Sequence, residues 1–71
     1  MPHTIKVGKT ELTISTRRYI RFADRLANWS PERRTLAHEA AEARLKGKHP
    51  RKRDAAIYAV TASNGLGSRG G

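Results

Sequence analysis

The chain has 71 residues, with fifteen Lys/Arg against six Asp/Glu for a net charge of +9, and no cysteine. That length allows one domain with a core near the lower limit for independent stability, and the missing cysteines exclude a disulfide or a thiolate zinc site as a staple. So dense a positive charge repels itself unless a polyanion relieves it, which makes an anionic partner the first expectation.

The opening residues, MPHTIKVGKTE, lack the long apolar stretch of a signal peptide, and nowhere do eighteen apolar residues run together. The expectation is an intracellular protein, cytoplasmic or nucleoid-associated, with no membrane partner. Thr4 to Val7 alternates weakly, Gly8-Lys9 interrupts, and Thr10 to Ser15 alternates again, with Leu12 and Ile14 on one side and Glu11, Thr13 and Ser15 on the other. Period two predicts short strands that can pair as a hairpin across Gly8-Lys9.

From Arg17 the period becomes helical: Tyr19, Phe22, Ala23, Leu26 and Trp29 form an apolar stripe, while Arg17, Arg21 and Arg25 recur every four residues. Thr16 is the expected cap of this helix. Ser30-Pro31-Glu32 then predicts a new start, with serine as N-cap, proline at the first helical position and glutamate favoured by the helix dipole. The alanine-rich stretch that follows predicts a helix to about Lys46, with Leu36, Ala40, Ala43 and Leu45 turned to the core and Gly47 ending it. Asp54 to Ser63 (DAAIYAVTAS) reads two ways. A strand would put Ile57 and Ala59 opposite Tyr58 and Val60; a helix would use Asp54 as cap, Ala56 and Val60 as core and Asn64-Gly65 as stop. A helical start at Pro50 would crowd three cations into the first turn against the dipole, so the helical version is expected to begin at Asp54. The fold class expected is small α+β: a short N-terminal strand or hairpin, two amphipathic helices, and a C-terminal strand or helix. Residues 1–63 form the domain and 64–71 a flexible Gly-rich tail.

Charge is unevenly distributed. Residues 31–45 carry no net charge, residues 16–30 carry +3 and residues 46–53 (KGKHPRKR) carry +5. The second helix therefore reads as scaffold, and the first helix and the junction as the charged surface. Arg17, Arg21 and Arg25 would stand about 6 Å apart by helical rise, with Arg18 beside them and Asp24 available to orient one; guanidinium groups at that spacing can track phosphates. Lys46, Lys48, Arg51, Lys52 and Arg53 are expected to add affinity from a flexible arm, because Gly47 and Pro50 oppose a rigid recognition helix.

The residues of catalysis are scattered. His3, His38 and His49 form no helical His-x-x-x-His pair, and Ser15, Ser30 and Ser63 stand at expected element ends, where capping or turns employ them. No enzyme activity, metal or cofactor is expected. Tyr19, Phe22 and Trp29 fall on the core stripe, which leaves Tyr58 as the aromatic freest for a surface role. The terminal Gly70-Gly71 is similar to the end of ubiquitin-like modifiers over two residues only, and two adjacent helices do not suit that fold.

The order of ELTIS, a helix, a tight turn and a helix opening on SPERR resembles the ribbon-helix-helix repressors over Thr10 to Leu45. The resemblance implies a homodimer whose strands pair into an antiparallel ribbon, with Leu12 and Ile14 inward, Glu11, Thr13 and Ser15 towards the bases of double-stranded DNA, and the second helix's N-terminus on phosphate. A monomeric α+β module, with Ile5/Val7, Leu12/Ile14 and Ile57/Val60 in a small sheet, is the alternative architecture. The function expected is a non-catalytic nucleic-acid-binding protein, a DNA-binding transcriptional or mobile-element regulator or repressor, with Thr13, Ser15, Arg17, Arg18, Arg21, Arg25, Lys46, Lys48, Arg51, Lys52 and Arg53 as contacts. The alternative is an inhibitor or accessory protein bound to an acidic protein partner.

Overall fold

A computed structural model describes residues 2–62 and shows a small α+β fold: strands β1 (His3–Val7) and β2 (Thr10–Ile14), then helices α1 (Thr16–Leu26), α2 (Pro31–Leu45) and α3 (Lys52–Thr61). The tail expected over 64–71 and the stop at Asn64-Gly65 lie outside the described residues.

The strands form an antiparallel hairpin in which Ile5 faces Leu12, Lys6 faces Glu11 and Val7 faces Thr10. Gly8, with φ of 60°, supplies the positive backbone angle at the first position of the two-residue loop, a conformation a Cβ would penalise. The alternation holds: Val7 and Ile14 are buried, Ile5 and Leu12 half-buried, and Thr4, Lys6, Glu11 and Thr13 exposed on the other face. β2 is paired to β1 of its own chain over its full length. That is the strand which the ribbon-helix-helix resemblance assigned to a ribbon between chains.

Helix α1 starts one residue from the expected place, because Ser15 and not Thr16 is its N-cap; the Ser15 hydroxyl accepts the Arg18 N–H at 3.1 Å. Its stripe is as read, with Phe22 and Leu26 buried and Tyr19, Ala23 and Trp29 packed against the core. Helix α2 begins as Ser30-Pro31 dictates, with the Ser30 hydroxyl accepting the Arg33 N–H at 3.2 Å. Its buried face differs from the expectation. Ala41 and Leu45 are buried, whereas Leu36 is 66% exposed and Ala40 and Ala43 face solvent. Leu36 and Leu45 are nine residues apart, half a revolution at 100° per residue, so one helix cannot turn both inward.

The ambiguous segment is a helix and begins at Lys52, two residues before the expected start. Ala55, Ala56, Val60 and Thr61 are all buried, a pairing of adjacent inward residues that period two cannot produce. Lys52 and Arg53 occupy the first turn against the dipole, and Asp54, the third helical residue, offsets them there. α3 packs on α2, α1 and both strands and is the centre of the core, joining Val7, Ile14, Phe22, Leu26 and Leu45 to its own Ala55, Ala56 and Val60. The Thr61 hydroxyl donates to the Ile57 carbonyl at 2.7 Å and lies 2.7 Å from His38 Nδ1, and the His38 ring stacks on Tyr58 at 4.5 Å. His38 thus joins α2 to α3. Glu42, one turn after His38, pairs with Lys46 at 3.4 Å.

Candidate nucleic-acid interface

The serine cap fixes the first turn of α1, and with it the base of three arginine side chains. Ser15, Arg17, Arg18 and Arg21 line a shallow cleft of about 110 Å³ at this helix start, with no acidic residue in its lining. Arg17, Arg18 and Arg21 are exposed, and Asp24 makes no ion pair with them among the described residues. Arg25 leaves the row: its guanidinium sits 5.5 Å from the centroid of the Phe22 ring, where it shields the core edge as well as carrying charge. Ser15 lies beyond the end of β2, and its hydroxyl is committed to the cap. Thr13 is exposed on the outward hairpin face, 3.3 Å from Thr4 across the strands.

The second basic region is shared between a helix end, a loop and a helix start. Lys46 is the C-cap residue of α2, Lys48 is exposed in the loop, and Lys52 and Arg53 belong to α3. Arg51 and Arg53 line a cavity of about 350 Å³ together with Arg44, Gly47, His49 and Asp54; Lys46, Lys48 and Lys52 are outside this lining. Beneath the cations lies Asp54, 3% exposed, with Oδ1 3.6 Å from Arg44 Nη1. At that separation the two are an ion pair but not hydrogen-bonded, and Oδ1 has no hydrogen-bond partner.

Arg44 and Asp54 were not among the residues the sequence pointed to. Arg44 disappears into the zero net charge of residues 31–45, and Asp54 has a role in the sequence only as the cap of the helical alternative. The available signal was topological: Arg44 in the last turn of one helix and Asp54 in the first turn of the next come together once the loop between them reverses the chain.

The aromatic residues divide as expected for a core stripe, with one addition. Trp29 is half-buried and carries the Arg33 guanidinium 4.0 Å from its ring centroid. Tyr58, the aromatic expected to be freest, is half-buried against His38 and lines a groove of about 470 Å³ with His3, Thr4, Ile5, Lys6, Tyr19, Ala59 and Ala62. The His3 ring stacks on Tyr19 with centroids 4.3 Å apart.

No group of three His, Cys, Asp or Glu among the described residues could hold a metal ion, and none of the described helices is long and apolar enough to cross a membrane. Comparison with protein-family models, curated proteins and solved structures returned no match.

Proposed function

We propose that this protein binds nucleic acid through its phosphate backbone, as a non-catalytic DNA-binding regulator. The observation that carries the reading is the convergence of Arg17, Arg18 and Arg21 on one cleft without an acidic residue in its lining. Charge balance would place carboxylates among arginines held only for solubility, as α2 does with Glu32, Glu39 and Glu42 beside its own arginines. Guanidinium groups gathered without such partners keep their donors for an external anion, and planar forks suit phosphate oxygens.

In this account α1 presents its N-terminal arginines to successive phosphates, and Lys48, Lys52, Arg51 and Arg53 add contacts from the α2–α3 junction. Phosphate contacts orient a protein on a duplex but carry no base information. The outward face of the hairpin, with Thr4, Lys6, Glu11 and Thr13 exposed, is the ordered surface left for base edges. The test is an anisotropy titration of a labelled duplex with the wild-type chain and with an Arg17→Gln, Arg18→Gln, Arg21→Gln variant. The reading expects a loss of affinity of at least tenfold at low salt in the variant; equal affinities would refute it.

A further inference from the structure

We propose that the cavity between the end of α2 and the start of α3 binds a single phosphate group, held by Arg44, Arg51, Arg53 and His49 at the N-terminus of α3, with Asp54 positioning Arg44. The inference rests on the nucleic-acid reading only for the source of that phosphate.

Three observations meet in this cavity. First, α1 and α2 each close their N-terminus with a serine hydroxyl, but Arg51 gives α3 no side-chain cap. The first backbone bond of the α3 turn is from the Ala55 N–H to the Arg51 carbonyl at 3.1 Å. The N–H groups of Lys52, Arg53 and Asp54 precede it, at the positive end of the helix dipole. Second, the lining gathers three arginines and a histidine around that turn.

Third, the buried carboxylate is incomplete. Asp54 is 3% exposed and its Oδ1 lacks a hydrogen-bond donor, a condition native interiors avoid. The nearest cation is Arg44, at 3.6 Å, whose side chain is 61% exposed. A guanidinium has five N–H donors and can hold a carboxylate with one edge and a phosphate with another. A phosphate in the cavity gives the outer edge of Arg44 a partner, and the inner edge can then close onto Oδ1. Arg44 also stands as the cation between two anions that would otherwise repel.

This arrangement makes a prediction of sign. If Asp54 is merely a negative neighbour of the cavity, Asp54→Asn removes repulsion and strengthens phosphate binding. If it positions Arg44, the same change weakens binding, by about tenfold for the loss of a charge-assisted contact.

The experiment is amide-resolved NMR titration with inorganic phosphate, against sodium chloride at matched ionic strength, on the wild-type chain, Arg44→Ala and Asp54→Asn. The proposal expects saturable shifts confined to the amides around residues 51–54, weakened about tenfold in both variants. Shifts that chloride reproduces, wild-type binding in Arg44→Ala, or tighter binding in Asp54→Asn would each overturn it. Arg51 lines the same cavity, is exposed and forms no ion pair with Asp54. Arg51→Gln, also expected to weaken binding about tenfold, therefore decides the matter should a variant of the Arg44–Asp54 pair fail to fold, and wild-type binding in it would overturn the proposal. Parallel titrations with a 5′-phosphorylated oligonucleotide and its 5′-hydroxyl counterpart identify the source. Preference for the first assigns a strand end, equal binding assigns an internal phosphodiester, and binding of inorganic phosphate without either oligonucleotide keeps the pocket while removing the nucleic-acid reading.

Discussion

Thr10 and Leu45, 35 positions apart, are joined by a hydrogen bond from the Thr10 hydroxyl to the Leu45 carbonyl at 2.7 Å. The last carbonyls of a helix have no partner within it; here the hairpin supplies one for α2, at the point where the basic junction begins. The contact ties the sheet to the start of the candidate phosphate cavity. Thr10→Val keeps the shape and removes the donor, leaving that part-buried carbonyl unpaired. A loss of about 1–2 kcal/mol is expected, measured as a lower urea midpoint at unchanged m-value, and an unchanged midpoint would show that water replaces the hydroxyl at no cost.

The two leucines of α2 have opposite fates. Leu45 is 1% exposed and Leu36 66% exposed. Leu45→Ala should cost about 2–5 kcal/mol, against a total of about 4–10 kcal/mol for a chain of this length, and should leave a poorly folded protein by circular dichroism at 37 °C. Leu36→Ala should change stability by no more than about 0.5 kcal/mol. A reversal of that order in thermal melts would contradict the assigned helix register.

Capping gives a third expectation. Ser15→Ala and Ser30→Ala should each destabilise by about 1 kcal/mol. Because they cap different helices, the double variant should show their sum to within about 0.5 kcal/mol. Denaturation curves of the four proteins check this; marked non-additivity would mean that α1 and α2 are coupled through contacts other than their caps.

Arg25 and Arg21 separate charge from packing on one helix. Arg21 is exposed and lines the α1 cleft, whereas Arg25 lies over Phe22. Arg21→Gln should weaken duplex binding and leave the melting temperature nearly unchanged. Arg25→Gln should lower stability by about 0.5–1 kcal/mol through the lost ring contact and affect affinity less. Equal effects of the two on affinity would return Arg25 to the phosphate-facing row.

Much of this architecture is written locally. The hairpin follows from alternation around a glycine, the α1 stripe from its period, and the start of α2 from Ser30-Pro31. The inward face of α2 was not legible because alanines surround the helix and two leucines point in opposite directions, so only docking on α3 selects Leu45. The helical state of α3 was hidden by Ile57, Tyr58 and Val60, residue types that also favour strands; burial of adjacent Ala55 and Ala56 depends on tertiary neighbours. At the candidate interface, helical period places Arg17, Arg21 and Arg25 in a row with Arg18 beside it, but it does not foresee Arg25 lying over Phe22, and counting charge by segment conceals Arg44 and Asp54. Their pairing exists only after the chain reverses between two helices.

The central claim is that ordered arginines meet nucleic-acid phosphates, and its most direct test is duplex affinity across a salt series, measured beside an unstructured peptide of equal charge. Each phosphate contact on duplex DNA contributes about −0.9 to the slope of log affinity against log salt. The account predicts tighter binding than the peptide at every salt concentration, with a slope that becomes shallower by about 2 to 3 when Arg17, Arg18 and Arg21 are all replaced by glutamine. Affinity no greater than the peptide's, or a slope untouched by the triple substitution, would contradict it.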